Sequence, residues 1–196
     1  MKQAHPTLTV ITDAVALKLG YEVLWFDGGG SNSFDIKKWE AGDAKGAMKH
    51  YPVVIDVNGN GKLDEGYVDV KGTIDPAKDK AMNYGQSYAS IPNPVDGSVW
   101  TSYSVIPGGM ARLDPKTGAV KLAVSPTEDS APYGMVFDTK GKLWFSEWQA
   151  PKLAWVDSET MEIHEITLPN AGTRPRRIAI DNNDVIWISD YSRGFL

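Results

Sequence analysis

Glu147 and Asp190 close two copies of the same short run, and each lies 14 residues after a side chain able to work with it, Tyr133 and Arg176 respectively. A carboxylate beside a tyrosine or an arginine can move a proton or hold a polar ligand, according to its surroundings. Trp148, Arg174, Arg177 and Tyr191 lie close by in the chain and add flat rings and fixed cations. That mixture suits recognition of a small polar ligand or an acidic peptide. A plainer reading of the same residues has Glu147 and Asp190 capping strand ends and the arginines standing as exposed loop residues.

A second oxygen-rich stretch begins at Asp56. Asp56, Asn58 and Asn60 place side-chain oxygens at alternate positions, Gly61 permits a sharp turn, and Asp64 falls at position nine, as in a calcium loop. Tyr67 stands where such a loop has its bidentate glutamate, so Glu65 or Asp69 would have to complete the shell. An asparagine-glycine hairpin turn uses the same residues.

The elements that must carry these groups come from a repeat. Trp100, Trp144 and Trp187 are 44 and 43 residues apart, and each ends a short apolar run; Trp25 ends a fourth, Val23-Leu24-Trp25. Neighbouring residues keep the register: Ala111, Asp114 and Pro126 recur at Ala154, Asp157 and Pro169, and Pro132 and Asp138 recur at Pro175 and Asp181, all 43 on. A period of this length marks stacked or radial units, none of which buries its apolar face alone.

The unit from Ala131 to Pro169 predicts four strands, at 133–137, 142–147, 152–156 and 162–168, separated by turn residues such as Asp138 to Gly141. Two antiparallel hairpins every 43 residues, without helical periodicity, describe a propeller blade. The expected fold is all-β, a partial and open propeller of about three and a half four-stranded blades. The expected units are 20–92, 93–126, 127–170 and an incomplete 171–196. The blade between Trp25 and Trp100 spans 75 residues and so carries an insertion. Because a closed propeller needs at least about four blades, the open edges predict either the rest of a propeller or self-association. The three tryptophans of the 43-residue beat are expected in the core between blades. In a hairpin the start of one strand and the end of the next share an edge, which puts Tyr133 with Glu147, and Arg176 with Asp190, on one rim.

Composition sets outer bounds. At 196 residues with 42% apolar and 23% charged content, the chain can bury a core. A net charge of −5 without a basic cluster argues against nucleic acid, and no apolar run is long enough to cross a membrane. The absence of cysteine excludes disulfides, thiolate metal sites and a cysteine nucleophile.

The string Ala131-Pro132-Tyr133-Gly134-Met135-Val136-Phe137-Asp138, with Gly141-Lys142-Leu143-Trp144-Phe145-Ser146-Glu147, resembles the blade repeat of the virginiamycin B (streptogramin) lyase-like propellers. Lys152-Leu153 and Asp114-Pro115-Lys116-Thr117-Gly118 match later parts of that repeat. The resemblance covers residues 85–196, and Val23 to Asp27 more faintly, and the insertion points to the larger bacterial relatives. It implies elimination on a cyclic depsipeptide ester, with a histidine base after the blade-opening proline, a glutamate and a magnesium ion. It also implies a periplasmic or extracellular setting. Glu147 matches the glutamate, whereas the histidine position holds Tyr133 and Arg176; His5, His50 and His164 fall elsewhere. Under this reading Glu147 and Tyr133 are the catalytic candidates.

Overall fold

The computed structural model describes residues 23–27, 30–52, 54–55, 80–81, 87–104 and 107–194. Strands β1 (Val23–Asp27), β2 (Gly30–Asp35) and β3 (Met48–Pro52) form an antiparallel sheet. Two short helices, α1 (Ile36–Glu40) and α2 (Ala44–Ala47), sit in the β2–β3 connection, each opened by an aspartate, Asp35 and Asp43, that accepts a backbone N–H three residues on. The strand pattern did not announce them. A two-stranded ribbon of β4 (Val54–Ile55) and β5 (Lys80–Ala81) follows. The calcium-type loop of Asp56, Asn58, Asn60 and Asp64 lies outside the described residues.

Two complete four-stranded antiparallel blades come next. The first is β6 (Ser87–Pro92), β7 (Val99–Tyr103), β8 (Gly109–Leu113) and β9 (Val120–Val124); the second is β10 (Pro132–Phe137), β11 (Leu143–Glu147), β12 (Lys152–Val156) and β13 (Ile163–Thr167). A two-stranded piece, β14 (Pro175–Ile180) and β15 (Ile186–Asp190), completes the series. The architecture is a partial, open β-propeller. Among the described residues no helix is long and apolar enough to cross a membrane.

Two details correct the sequence reading. β6 pairs with β7, so the boundary expected between residues 92 and 93 falls before Ser87, because each blade begins with the strand preceding its tryptophan strand. Trp25 lies in β1, the first strand of its sheet among the described residues, whereas Trp100 and Trp144 lie in second strands. The fourth beat is therefore out of register with the other three.

The blades pack face to face. Alternation along the second blade turns Leu143, Phe145, Ala154, Val156 and Ile163 toward Trp100, Met110 and Ala123 of the first. The opposite face of the first blade meets the N-terminal sheet, where Val99 and Leu113 bury against Tyr51 and Trp25, and Ser31 Oγ lies 2.5 Å from Thr101 Oγ1. Each tryptophan of the beat thus looks toward the following sheet. Trp100, covered by a complete blade, is 1% exposed; Trp144, facing a two-stranded piece, is half-buried; Trp187, with no described sheet beyond it, is 53% exposed. The expectation of three core tryptophans holds for Trp100 alone. Trp144 and Trp187 instead donate their indole N–H to Asp138 and Asp181, at 3.1 and 3.4 Å, pinning the strand to its own turn.

The gradient makes a measurable contrast. Trp100→Ala should lower the unfolding free energy in urea by about 3–5 kcal/mol, as for other buried aromatic truncations. Trp187→Ala should stay within about 0.5 kcal/mol. Equal losses at the two positions would contradict the packing described.

Candidate functional site

The opening strands β6, β10 and β14 carry the same irregularity. The pairing register shifts between Ser87 and Ser90, between Pro132 and Met135, and between Pro175 and Ile178. A bulge leaves a residue unpaired and re-aims its side chain. The residues so placed are Tyr88, Tyr133 and Arg176, each second in its strand. The sequence period aligned Tyr133 with Arg176 but passed over Tyr88, because the spacing there is 45 rather than 43. Aligning on the strand starts, Ser87, Pro132 and Pro175, finds it.

These three gather at one rim with the rings that follow β11 and β15. Tyr88 stacks on Tyr133 with centroids 3.6 Å apart, Tyr133 lies 5.6 Å from Trp148, and Trp148 lies 4.9 Å from Tyr191. The Arg176 guanidinium sits 5.3, 5.4 and 5.0 Å from the ring centres of Tyr133, Trp148 and Tyr191, within cation–π range of all three. It donates twice to the Tyr133 hydroxyl, from Nε at 3.2 Å and Nη2 at 3.0 Å. Arg177 donates to the Tyr88 hydroxyl at 3.0 Å, and Arg174 covers Trp148 while donating to Gln149. Burial, together with the Tyr133 hydroxyl beside it, pushes the Tyr88 phenol up to about 12.

The expected rim thus assembles for Tyr133, Trp148, Arg174, Arg176 and Tyr191. Asp190 belongs to its frame: Oδ1 accepts from the Ser192 hydroxyl at 2.6 Å, the Ser192 N–H at 3.0 Å and the Arg174 N–H at 3.2 Å. The Ser192 hydroxyl and these amides hold its carboxyl below the usual range. Among the described residues no ion pair engages Arg174, Arg176 or Arg177. These rim cations thus have no counter-ion among the described residues.

Glu147 stands apart from this cluster. Its backbone pairs with Pro132 at the rim, but its side chain points between the two complete blades and is 0% exposed. Ser125 Oγ lies 2.7 Å from Glu147 Oε1 and 3.1 Å from Glu165 Oε1, and Glu147 Oε2 has no partner. The Ser125 hydroxyl, with one proton to give, stands as donor between the two carboxyls. Glu165 accepts from the Thr127 N–H at 2.8 Å and the Thr127 hydroxyl at 3.0 Å, and it pairs with Lys152. Burial pushes Glu165 up, but the Lys152 and Thr127 bonds outweigh it and hold the carboxyl below its ordinary range. Of the two carboxyls, Glu147 is the one whose proton affinity is raised. Burial, helped by the Glu165 charge, raises its pKa to about 7.

A magnesium site of the kind the resemblance implies does not fit the described residues. Glu147 is sealed off with its hydroxyl partner, Asp190 is engaged with its turn, and no group of three potential metal-ligating side chains assembles.

No protein-family model matches the chain, and no curated protein does. Solved structures do. A structure titled streptogramin B lyase aligns with 87% of this chain and 45% of its own length, at TM-score 0.57 and 16% identity. Virginiamycin B lyase from Staphylococcus aureus aligns with 58% of this chain and 39% of its own, at TM-score 0.50 and 24% identity, and so does a catalytically inactive form of it with quinupristin. The chain shares the propeller fold of these lyases and spans less than half their length.

The buried proton has a thermodynamic consequence. Folding raises the Glu147 pKa from 4.5 to about 7, so the native state binds the extra proton between those values. Its contribution to stability is complete at pH below the lower value and is lost as pH rises through the upper one. Melting temperature should therefore fall between roughly pH 5 and 8. Glu147→Gln, neutral at every pH, should flatten that fall; an unchanged slope in the variant would rule out Glu147 as its source.

Proposed function

We infer that the chain is a ligand- or partner-binding propeller segment acting through its rim, and that the ligand is a small polar molecule or an acidic peptide. Arg176 carries this reading: its guanidinium is held by three rings and the Tyr133 hydroxyl and meets no carboxylate among the described residues. A fixed, partly desolvated cation framed by aromatic walls favours an incoming anionic or strongly polar group. Tyr88, Trp148, Arg174 and Tyr191 frame that point, and Asp190 orders the turn bearing Tyr191.

The second reading is a metal-dependent lyase opening a cyclic depsipeptide ester, which the shared fold favours. Against it stands the histidine position, which holds Tyr88, Tyr133 and Arg176 in the three described blades. A third, a scaffold propeller without small ligand, has no specific feature in its favour. The side of β14–β15 that the described residues leave uncovered, with Trp187, is where the rest of a propeller or a second copy would dock; light scattering distinguishes the two.

Quinupristin and a tetraglutamate peptide serve as probes, with intrinsic tryptophan fluorescence as the readout. At least one should bind saturably, quinupristin with magnesium should stay intact, and Arg176→Ala should weaken binding by about tenfold or more. Ring opening of quinupristin that Glu147→Gln abolishes would replace the binding reading with the lyase.

A further inference from the structure

The opposite end of the first blade has a cleft of about 560 Å³, between the β6–β7 and β8–β9 turns and the N-terminal sheet. The rim lies where β6 begins and β7 ends, so the two sites share no residue. A cavity of this size accommodates a compact organic molecule. One wall is aromatic: Trp25 and Tyr51 lie 5.7 Å apart, with ring planes tilted by 35°.

The charges around it are unequally engaged. Asp96 accepts from the Ser98 amide and hydroxyl at 2.8 and 2.6 Å and from Arg112 at 2.9 Å. Asp35 and Asp114 likewise accept backbone amides of their own helix start and turn, at 3.1 and 2.8 Å. The carboxylates are thus committed within the protein. Two of the cations, Arg112 and Lys38, pair with Asp96 and Asp35, whereas Lys49 Nζ rests 4.4 Å above the Tyr51 ring and neither it nor Lys116 makes an ion pair among the described residues. Arg112, which lines the same cleft, keeps a buried Nε without a hydrogen-bond partner. An anion would pair with the two unengaged lysines beside the Arg112 guanidinium, and a flat ring would cover the aromatic wall.

We propose that this cleft is a second binding site, taking a small molecule that joins an aromatic ring to an anionic group. The ring lies along Trp25 and Tyr51, and the anion meets Lys49, Lys116 and Arg112. This site stands or falls independently of the rim.

Phenyl phosphate is the probe, titrated into the isotope-labelled chain while backbone amide shifts are followed. Saturable shifts should centre on Lys49, Arg112 and Lys116, and phenol or inorganic phosphate alone should bind at least about tenfold more weakly. The double variant Lys49→Ala and Lys116→Ala, at two exposed positions, should melt normally yet weaken phenyl phosphate binding by about tenfold. Arg176→Ala should leave that binding unchanged. No saturable shift at these amides, equal binding of phenol or of inorganic phosphate, indifference to the lysine pair, or loss on Arg176→Ala would each overturn the proposal.

Discussion

The rim depends on one hydroxyl. Ser146 Oγ accepts the Gly134 N–H at 2.9 Å and donates to the Arg176 carbonyl at 2.6 Å, tying the opening strand of one blade to that of the next. The approach is close enough that a Cβ on Gly134 would fall 2.7 Å from the Arg176 oxygen and 2.9 Å from the Ile178 nitrogen. Only a residue without a side chain fits there. The preceding junction lacks the device: Ala89 stands where Gly134 does, and the corresponding Ser102 Oγ is buried without a partner. The strands that present Tyr133 and Arg176 are locked at backbone level, which makes their side-chain pairing a fixed property of the fold.

Much of this was legible in sequence where the repeat is strict. The four strands of the second blade lie within a residue of the places that turn chemistry and alternation assign, because Asp138 to Gly141 and Asp157 to Thr160 end strands by local bonding alone. The gathering of Tyr133, Arg176, Trp148 and Tyr191 followed from hairpin geometry. The bulges did not, since an unpaired residue leaves no mark on a period of 43, and Tyr88 was lost with them. Glu147 shares the rim edge with Tyr133 but not its face, for a reason the sequence does contain. Counting by two from buried Leu143 and Phe145 reaches Glu147 on the same inward face. Sharing an edge says nothing about sharing a face.

The tryptophan beat shows the same distinction between position and environment. Trp100, Trp144 and Trp187 occupy equivalent strand positions and look the same way, yet their exposure follows the size of the sheet in front of them. Repeat units pass part of their burial to the next unit. The N-terminal sheet uses its own tryptophan differently, placing Trp25 beside Tyr51 at the mouth of a charged cleft instead of in the strand position that the other three share.

Proton chemistry at this rim meets a separation between affinity and access. A general base is most effective when its pKa lies near the working pH and it can reach the substrate. Glu147 has the affinity, at about 7, but reaches only Ser125 and the neighbouring Glu165 from a fully enclosed position. Tyr88 stands at the rim, but burial and its stacked neighbour hold its proton up to about 12. The arginines, already protonated and without an acceptor, cannot take up a proton. The property that makes Glu147 look catalytic, a near-neutral carboxyl, has the same origin as its inaccessibility: the interior that raises its pKa also excludes the substrate. Among the described residues the rim presents charge and flat apolar area held in fixed register.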